Sequence, residues 1–243
     1  DLTILRSDDW GETWDAFPSY LTSGQEWHQA PCNVHYANGY VYIVMERQIP
    51  NQLPNGWWYV SELAPVLMRG KVNDDLRVPS NWTFASQVPF YNEIDDRALQ
   101  HLGIPFYPGY YPDRHPIVSG RIFYPAGWLE TNVVQFDDPA HQWYDPAGRT
   151  FHLFARTHSG RSNLAHVMKV IENDDGSMTT MAQTAPSGVK MHYVPMPGGH
   201  IKFHVLYDEE TRLYWLLSSQ ATDSMKRAEM LPEDRFDLPT NER

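Results

Sequence analysis

The chain has 243 residues, 42% of them hydrophobic and 20% charged, which is enough to bury the core of one large domain or of one piece of a larger one. A net charge of −11 without any Lys/Arg-rich block leaves no basic face for a phosphate backbone, and no apolar run approaches the length of a membrane span, so neither nucleic acid nor a bilayer is an expected partner. Cys32 stands alone, which excludes an intrachain disulfide.

The first predicted element is the strand Leu2-Thr3-Ile4-Leu5, which runs into the turn Ser7-Asp8-Asp9-Trp10-Gly11-Glu12-Thr13-Trp14. Gly11 permits a backbone with φ > 0, and Asp9 can accept hydrogen bonds from turn amides. Thr13 suits a returning strand, and Trp14 supplies apolar area to anchor the turn against the sheet. Residues 2–18 therefore read as a hairpin. Next, Cys32–Tyr36 and Tyr40–Arg47 flank Asn38-Gly39, a strong short hairpin signal. Ala64–Val72 and Trp82–Val88 follow as a further pair. Helix-period patterns are nearly absent, and the best candidate, Glu93–Leu102, is short.

Pro89–Gly127 is dense in Pro, Tyr and Gly and too long for a plain connection, so it reads as a functional insertion. Beyond it, Thr131–Phe136 and Thr150–Arg156 form a pair around a polar connection. Leu164–Glu172 and Ser177–Thr184 form another. Ile201–Tyr207 and Arg212–Ser219 then flank Asp208-Glu209-Glu210-Thr211. The charged tail from 226 to 243 has no strand pattern.

Leu63–Asp75 and Leu164–Asp175 look alike once a single gap is allowed, and each follows one of the first two hairpins. This is an internal repeat of four antiparallel strands, A to D, with each unit occupying roughly 55 residues. Repeated four-stranded units arranged radially are propeller blades. The expected fold is thus all-β: a partial β-propeller over 1–225 with an insertion loop at 89–127, and a charged tail or truncated continuation at 226–243. A C–D hairpin, two full blades and one A–B half are too few strands to close the ring, so an incomplete chain is expected. In such blades the D–A connections, the starts of A and the ends of B share one face, and the A–B and C–D turns share the other. Ligands bind propellers at the mouth where inner-strand ends converge.

The turn at 7–14 fills every fixed position of Ser-x-Asp-x-Gly-x-Thr-Trp, the Asp box of sialidases and related BNR-repeat propellers. As a C–D turn it belongs to the face away from any site. Trp128-Leu129-Glu130-x-Asn132-Val133-Val134 and Gly198-Gly199-x-x-Lys202-Phe203 also resemble motifs of bacterial sialidase-like BNR proteins, in the same order. The resemblance implies a propeller, often six-bladed, of which this chain covers about half. It also implies action on a carbohydrate, with no cofactor, and Glu130 in the place of the Glu that activates a Tyr nucleophile. Arg47-Gln48-Ile49-Pro50 interrupts the sialidase Arg-Ile-Pro motif and is not equated with it.

First-face positions supply the candidate residues. Glu130, between Trp128-Leu129 and an apolar strand, is expected to be partly desolvated and suited to general acid/base work. Asp113 and His115, on the insertion, are the other catalytic candidates. Arg47 and Arg156 end matching B strands and could clamp a sugar carboxylate. His28, Asn132, His158, His200 and Lys202 complete the substrate-binding set. His200, Lys202 and His204 alternate onto one side of a strand, but no acidic third ligand is in register and no metal is expected.

The function these residues point to is a sialidase-like glycoside hydrolase acting on an anionic or hydroxylated sugar. The alternatives are a polysaccharide lyase using His28 or His115 with a Tyr on a uronate, and a non-catalytic glycan-binding propeller. A secreted or periplasmic location is expected if the full gene carries a signal peptide.

Overall fold

A computed structural model of the chain describes residues 1–28, 33–50, 59–93, 101–102, 127–157, 164–188, 190–191, 193–196 and 202–218. The fold is all-β, built of curled antiparallel sheets that form a half-barrel. It opens on a hairpin of β1 (Thr3–Ile4) and β2 (Ser19–Tyr20). Its connecting turn is tied together by Asp9, which accepts the Thr13 backbone N–H at 2.8 Å, the Thr13 hydroxyl at 2.5 Å and the Ser7 hydroxyl at 2.8 Å. Those donors hold the Asp9 carboxyl down at about 2. Trp10 and Gly11 both take positive φ, 62° and 90°, which makes the tight reversal possible. Trp14 differs from expectation. It is 59% exposed and closes the turn from within, its indole N–H donating to the Gly11 carbonyl at 3.1 Å.

Two meanders follow, each filling four strand positions within a larger sheet, of five strands and of seven. In the first, β3 (Trp27–His28) and β4 (Val34–Ala37) both pair with β5 (Tyr40–Gln48), which pairs with β6 (Leu63–Lys71) and then β7 (Trp82–Phe84). The β4–β5 turn is Asn38-Gly39, with φ of 53° and 78°, the doubly left-handed geometry that fits the strand twist of a two-residue hairpin. Pro65 is tolerated in β6 because β7 pairs only with Met68–Gly70, so the sheet has no second neighbour there.

A short helix α1 (Phe90–Glu93) comes next, then β8 (His101–Leu102). Most of the helix predicted over Glu93–Leu102 lies outside the described residues; at its edges Glu93 is helical and Leu102 lies in a strand.

The second meander runs β9 (Trp128–Val134), β10 (Thr150–Thr157), β11 (Leu164–Glu172) and β12 (Met178–Thr184). β13 (Lys190–Met191) extends it and pairs in parallel with β8, so part of the insertion is stitched to this sheet. β14 (Tyr193–Pro195) pairs with the start of β11. A final hairpin joins β15 (His204–Asp208) to β16 (Leu213–Leu217).

The repeated segments seen in the sequence are β6 and β11, the third strand of each meander. The ladders fix the rest of the correspondence. Trp27 pairs with Arg47 and Trp128 with Thr157; His28 pairs with Glu46 and Leu129 with Arg156. Glu46 and Arg156 thus hold the same place in their units.

The main core lies between the meanders: Tyr42, Val44, Leu63 and Leu67 from the first meet Trp128, Val133, Phe151 and Leu153 from the second. Each such side chain contributes about 1.5–3 kcal/mol by leaving water. Tyr42 and Phe151 have ring centroids 4.3 Å apart. At the edge of this core the Tyr42 hydroxyl donates to Glu172 at 2.8 Å, and Arg69 completes the buried pair with that carboxylate. Asn33 clamps Val133, accepting its N–H and donating to its carbonyl, both at 2.8 Å. Asn132 does the same to the segment entering β15, donating to Phe203 O at 2.9 Å and accepting from Val205 N at 3.1 Å.

Candidate functional site

At the end of the sheets where A strands start and B strands finish, β9 carries a bulge. Phe154 faces Asn132 and Arg156 faces Leu129, so three steps on β9 oppose two on β10. Glu130 absorbs the extra residue with φ of 54°, a left-handed conformation that a non-glycine residue adopts only when its surroundings hold it there. The bulge turns the Glu130 carboxylate onto Arg156, whose Nη1 lies 3.1 Å and 3.0 Å from its two oxygens. The backbone N–H of Lys202, also at positive φ (47°), donates to the same carboxylate at 3.2 Å. Both ion-pair partners are largely buried, with 12% of the Arg156 side chain and 6% of the Glu130 side chain exposed.

A second carboxyl lies against this pair from the neighbouring unit. Glu46, 0% exposed, accepts the backbone N–H of Thr131 at 3.1 Å. Burial pushes its pKa up to about 8, the Thr131 bonds opposing and the Glu130 charge adding to the rise, so Glu46 is protonated at neutral pH. His28, across the ladder from Glu46, has its pKa lowered by burial while the Glu130 charge pulls the other way; it is a neutral imidazole. Among the described residues, Glu46 Oε2, Thr131 Oγ1 and Arg156 Nε are buried near Glu130 without a hydrogen-bond partner. Buried polar groups are usually paired, so these atoms are open to a partner not yet in place.

The structure gathers Glu130, Arg156, Lys202 and His28 from the sequence candidates. Lys202 contributes its backbone N–H. Arg47 is not part of the cluster. It sits one residue beyond Glu46, and a one-residue step on a strand moves a side chain to the other face. Its guanidinium donates to the Glu26 and Gln48 carbonyls at 2.8 Å each and lies over the Trp27 ring at 5.8 Å. Asn132 is fully buried, and its amide is used in the clamp on the β15 entry. Asp113, His115, His158 and His200 lie outside the described residues.

Glu46 is the residue that sequence reasoning did not place among the candidates. The signal was present: Tyr42, Val44 and Glu46 alternate on the apolar face of β5. Among the described residues no group of three or more His, Cys, Asp or Glu side chains could hold a metal ion. No helix among them is long and apolar enough to cross a membrane.

The opposite end of the sheets carries the turns. Arg77, in the β6–β7 connection, reaches Asp15 of the first hairpin at 3.4 Å, which puts the Asp9 turn at that end, away from Glu130. No family model, no curated protein and no solved structure matches the chain.

Proposed function

We propose that the chain is part of a sialidase-like β-propeller that hydrolyses a glycosidic bond, with Glu130 as one of the acids flanking the scissile bond. The observation that carries this reading is the Glu130 carboxylate itself, largely buried at the strand ends, turned inward by a bulge and held by Arg156 and the Lys202 N–H. A fixed, partly desolvated carboxyl group is one half of the pair that glycoside hydrolysis uses. Glu46 acts through the Thr131 amide and is a positioning residue that fixes the peptide following Glu130. Asp113 or His115 on the insertion would supply the second acid, and Arg156 with Lys202 would meet an anionic or hydroxylated sugar. The four-stranded meanders, their matching ladders and the Asp-box turn support the propeller. The Asn clamps, one per unit, support radial stacking.

The test is a panel of 4-methylumbelliferyl glycosides, including sialoside and uronide, with release of the fluorescent aglycone as readout. Glu130→Gln should lower kcat/KM about 10²–10⁴-fold with unchanged circular dichroism. Full activity in that variant overturns the reading. The neutral imidazole of His28 beside Glu130 favours a second reading, a lyase that removes the C5 proton of a uronate. A new carbon–carbon double bond absorbing in the ultraviolet, in place of aglycone hydrolysis, is its signature.

A further inference from the structure

At the turn end of the sheets a cleft of about 430 Å³ opens where β4, the end of β9 and β15 come together. Val133, the lining residue of β9 that comes first in the chain, is three residues from Glu130, about 10 Å along the strand. We infer that this cleft binds a neutral pyranose, independently of any chemistry at Glu130.

Two tyrosines supply flat apolar surfaces. Tyr36 is 68% exposed on β4, and Tyr207 on β15 is braced by Tyr214, ring centroids 4.8 Å apart. A pyranose presents a C–H face to such a ring and hydroxyls around its edge. The hydroxyl partners are the Asp137 and Glu209 carboxylates, both exposed in the cleft, with His35 and Gln135 at its wall. No described side chain donates a hydrogen bond to the Asp137 carboxylate.

The wall is held rigid. The Tyr214 hydroxyl accepts the Asp137 backbone N–H and donates to the Gln135 carbonyl, both at 2.9 Å. The Gln135 amide donates to Gly148 O at 2.8 Å and lies 3.1 Å from His35 Nε2. A rigid site loses little entropy on binding. The charge of the lining selects the ligand class. Asp137 and Glu209 are both acidic and, among the described residues, neither Lys nor Arg lines the cleft, so a uronate or sialate is repelled here and a neutral sugar is not. The cleft and the Arg156 cluster therefore sort sugars by charge at opposite ends of the same strands.

Saturation-transfer NMR on the whole chain tests this, with methyl glucoside, methyl galactoside, methyl N-acetylglucosaminide and methyl glucuronide each at about 10 mM, where millimolar affinities are visible. At least one neutral glycoside should show transfer that depends on the cleft: Asp137→Asn and Tyr207→Ala should each cut it at least several-fold. Any transfer to the glucuronide belongs to the Arg156 cluster and should be unchanged in both variants. The Asn variant is isosteric, so it keeps the test valid if loss of the Tyr207 ring disturbs the hairpin. Absence of transfer from all three neutral sugars, glucuronide transfer that falls in Asp137→Asn, or neutral-sugar transfer indifferent to Asp137→Asn overturns the inference.

Discussion

Asn33 and Asn132 make the same pair of hydrogen bonds one unit apart, each using its amide as a substitute ladder rung to the next unit. Asn33 holds Val133; Asn132 holds the chain at Phe203 and Val205. Only an amide can donate and accept in this way. Asn33→Ala or Asn132→Ala would strand a buried backbone N–H and a carbonyl, costing about 1–3 kcal/mol each. The urea midpoint should fall accordingly, and Asn→Asp should not rescue it, since the carboxylate cannot donate. A midpoint equal to that of the native chain would rule out the clamp.

Glu46 should govern how stability varies with pH. Its folded pKa of about 8 stands above the ordinary 4.5, so the folded state holds a proton that the unfolded chain releases. Its favourable contribution is complete below the unfolded value and is lost as pH rises through the folded one, a change on the order of a few kcal/mol. Chemical denaturation between about pH 5 and 8 should show this decline in the native chain and a flatter profile in Glu46→Gln. Parallel profiles would contradict the assignment.

Removing one member of the Glu130–Arg156 pair should cost more than removing both. Arg156→Ala leaves a buried carboxylate uncompensated and should lower stability by about 3–5 kcal/mol. Adding Glu130→Gln to it should recover part of that loss, a coupling that a double-mutant cycle measures directly. Strictly additive effects would mean that the two groups do not interact.

Asp9 should matter only locally. Asp9→Ala removes the acceptor for Thr13, so the Thr13 amide should exchange with solvent much faster while the urea midpoint changes little. The Glu130 cluster, at the other end of the sheets, should not respond. A change in turnover in this variant would contradict that separation.

Much of the fold was legible because local chemistry set it. Asn38-Gly39 demanded a left-handed turn, Asp9 demanded amide donors, and β6 and β11 resembled one another with a single gap. What stayed hidden depends on register. Arg47 and Arg156 look equivalent by position at strand ends, yet the ladders match Arg156 with Glu46. A single residue of offset turned one arginine toward Glu130 and the other toward Trp27. The Glu130 bulge carries no glycine to announce it. The parallel pairing of β8 with β13 joins residues about ninety positions apart, beyond the reach of any local pattern.

Trp128, two residues before Glu130, donates its indole N–H to the carbonyl of Leu63 at 2.7 Å. That acceptor is a main-chain atom, which every amino acid supplies. Substitution at position 63 therefore cannot delete the tether, and sequence drift there would go unpunished as long as the strand still packs. An insertion or deletion that slips β6 by one residue is different, since it withdraws the carbonyl whatever side chains are kept. The anchoring of Glu130 is thus heritable as spacing rather than as residue identity.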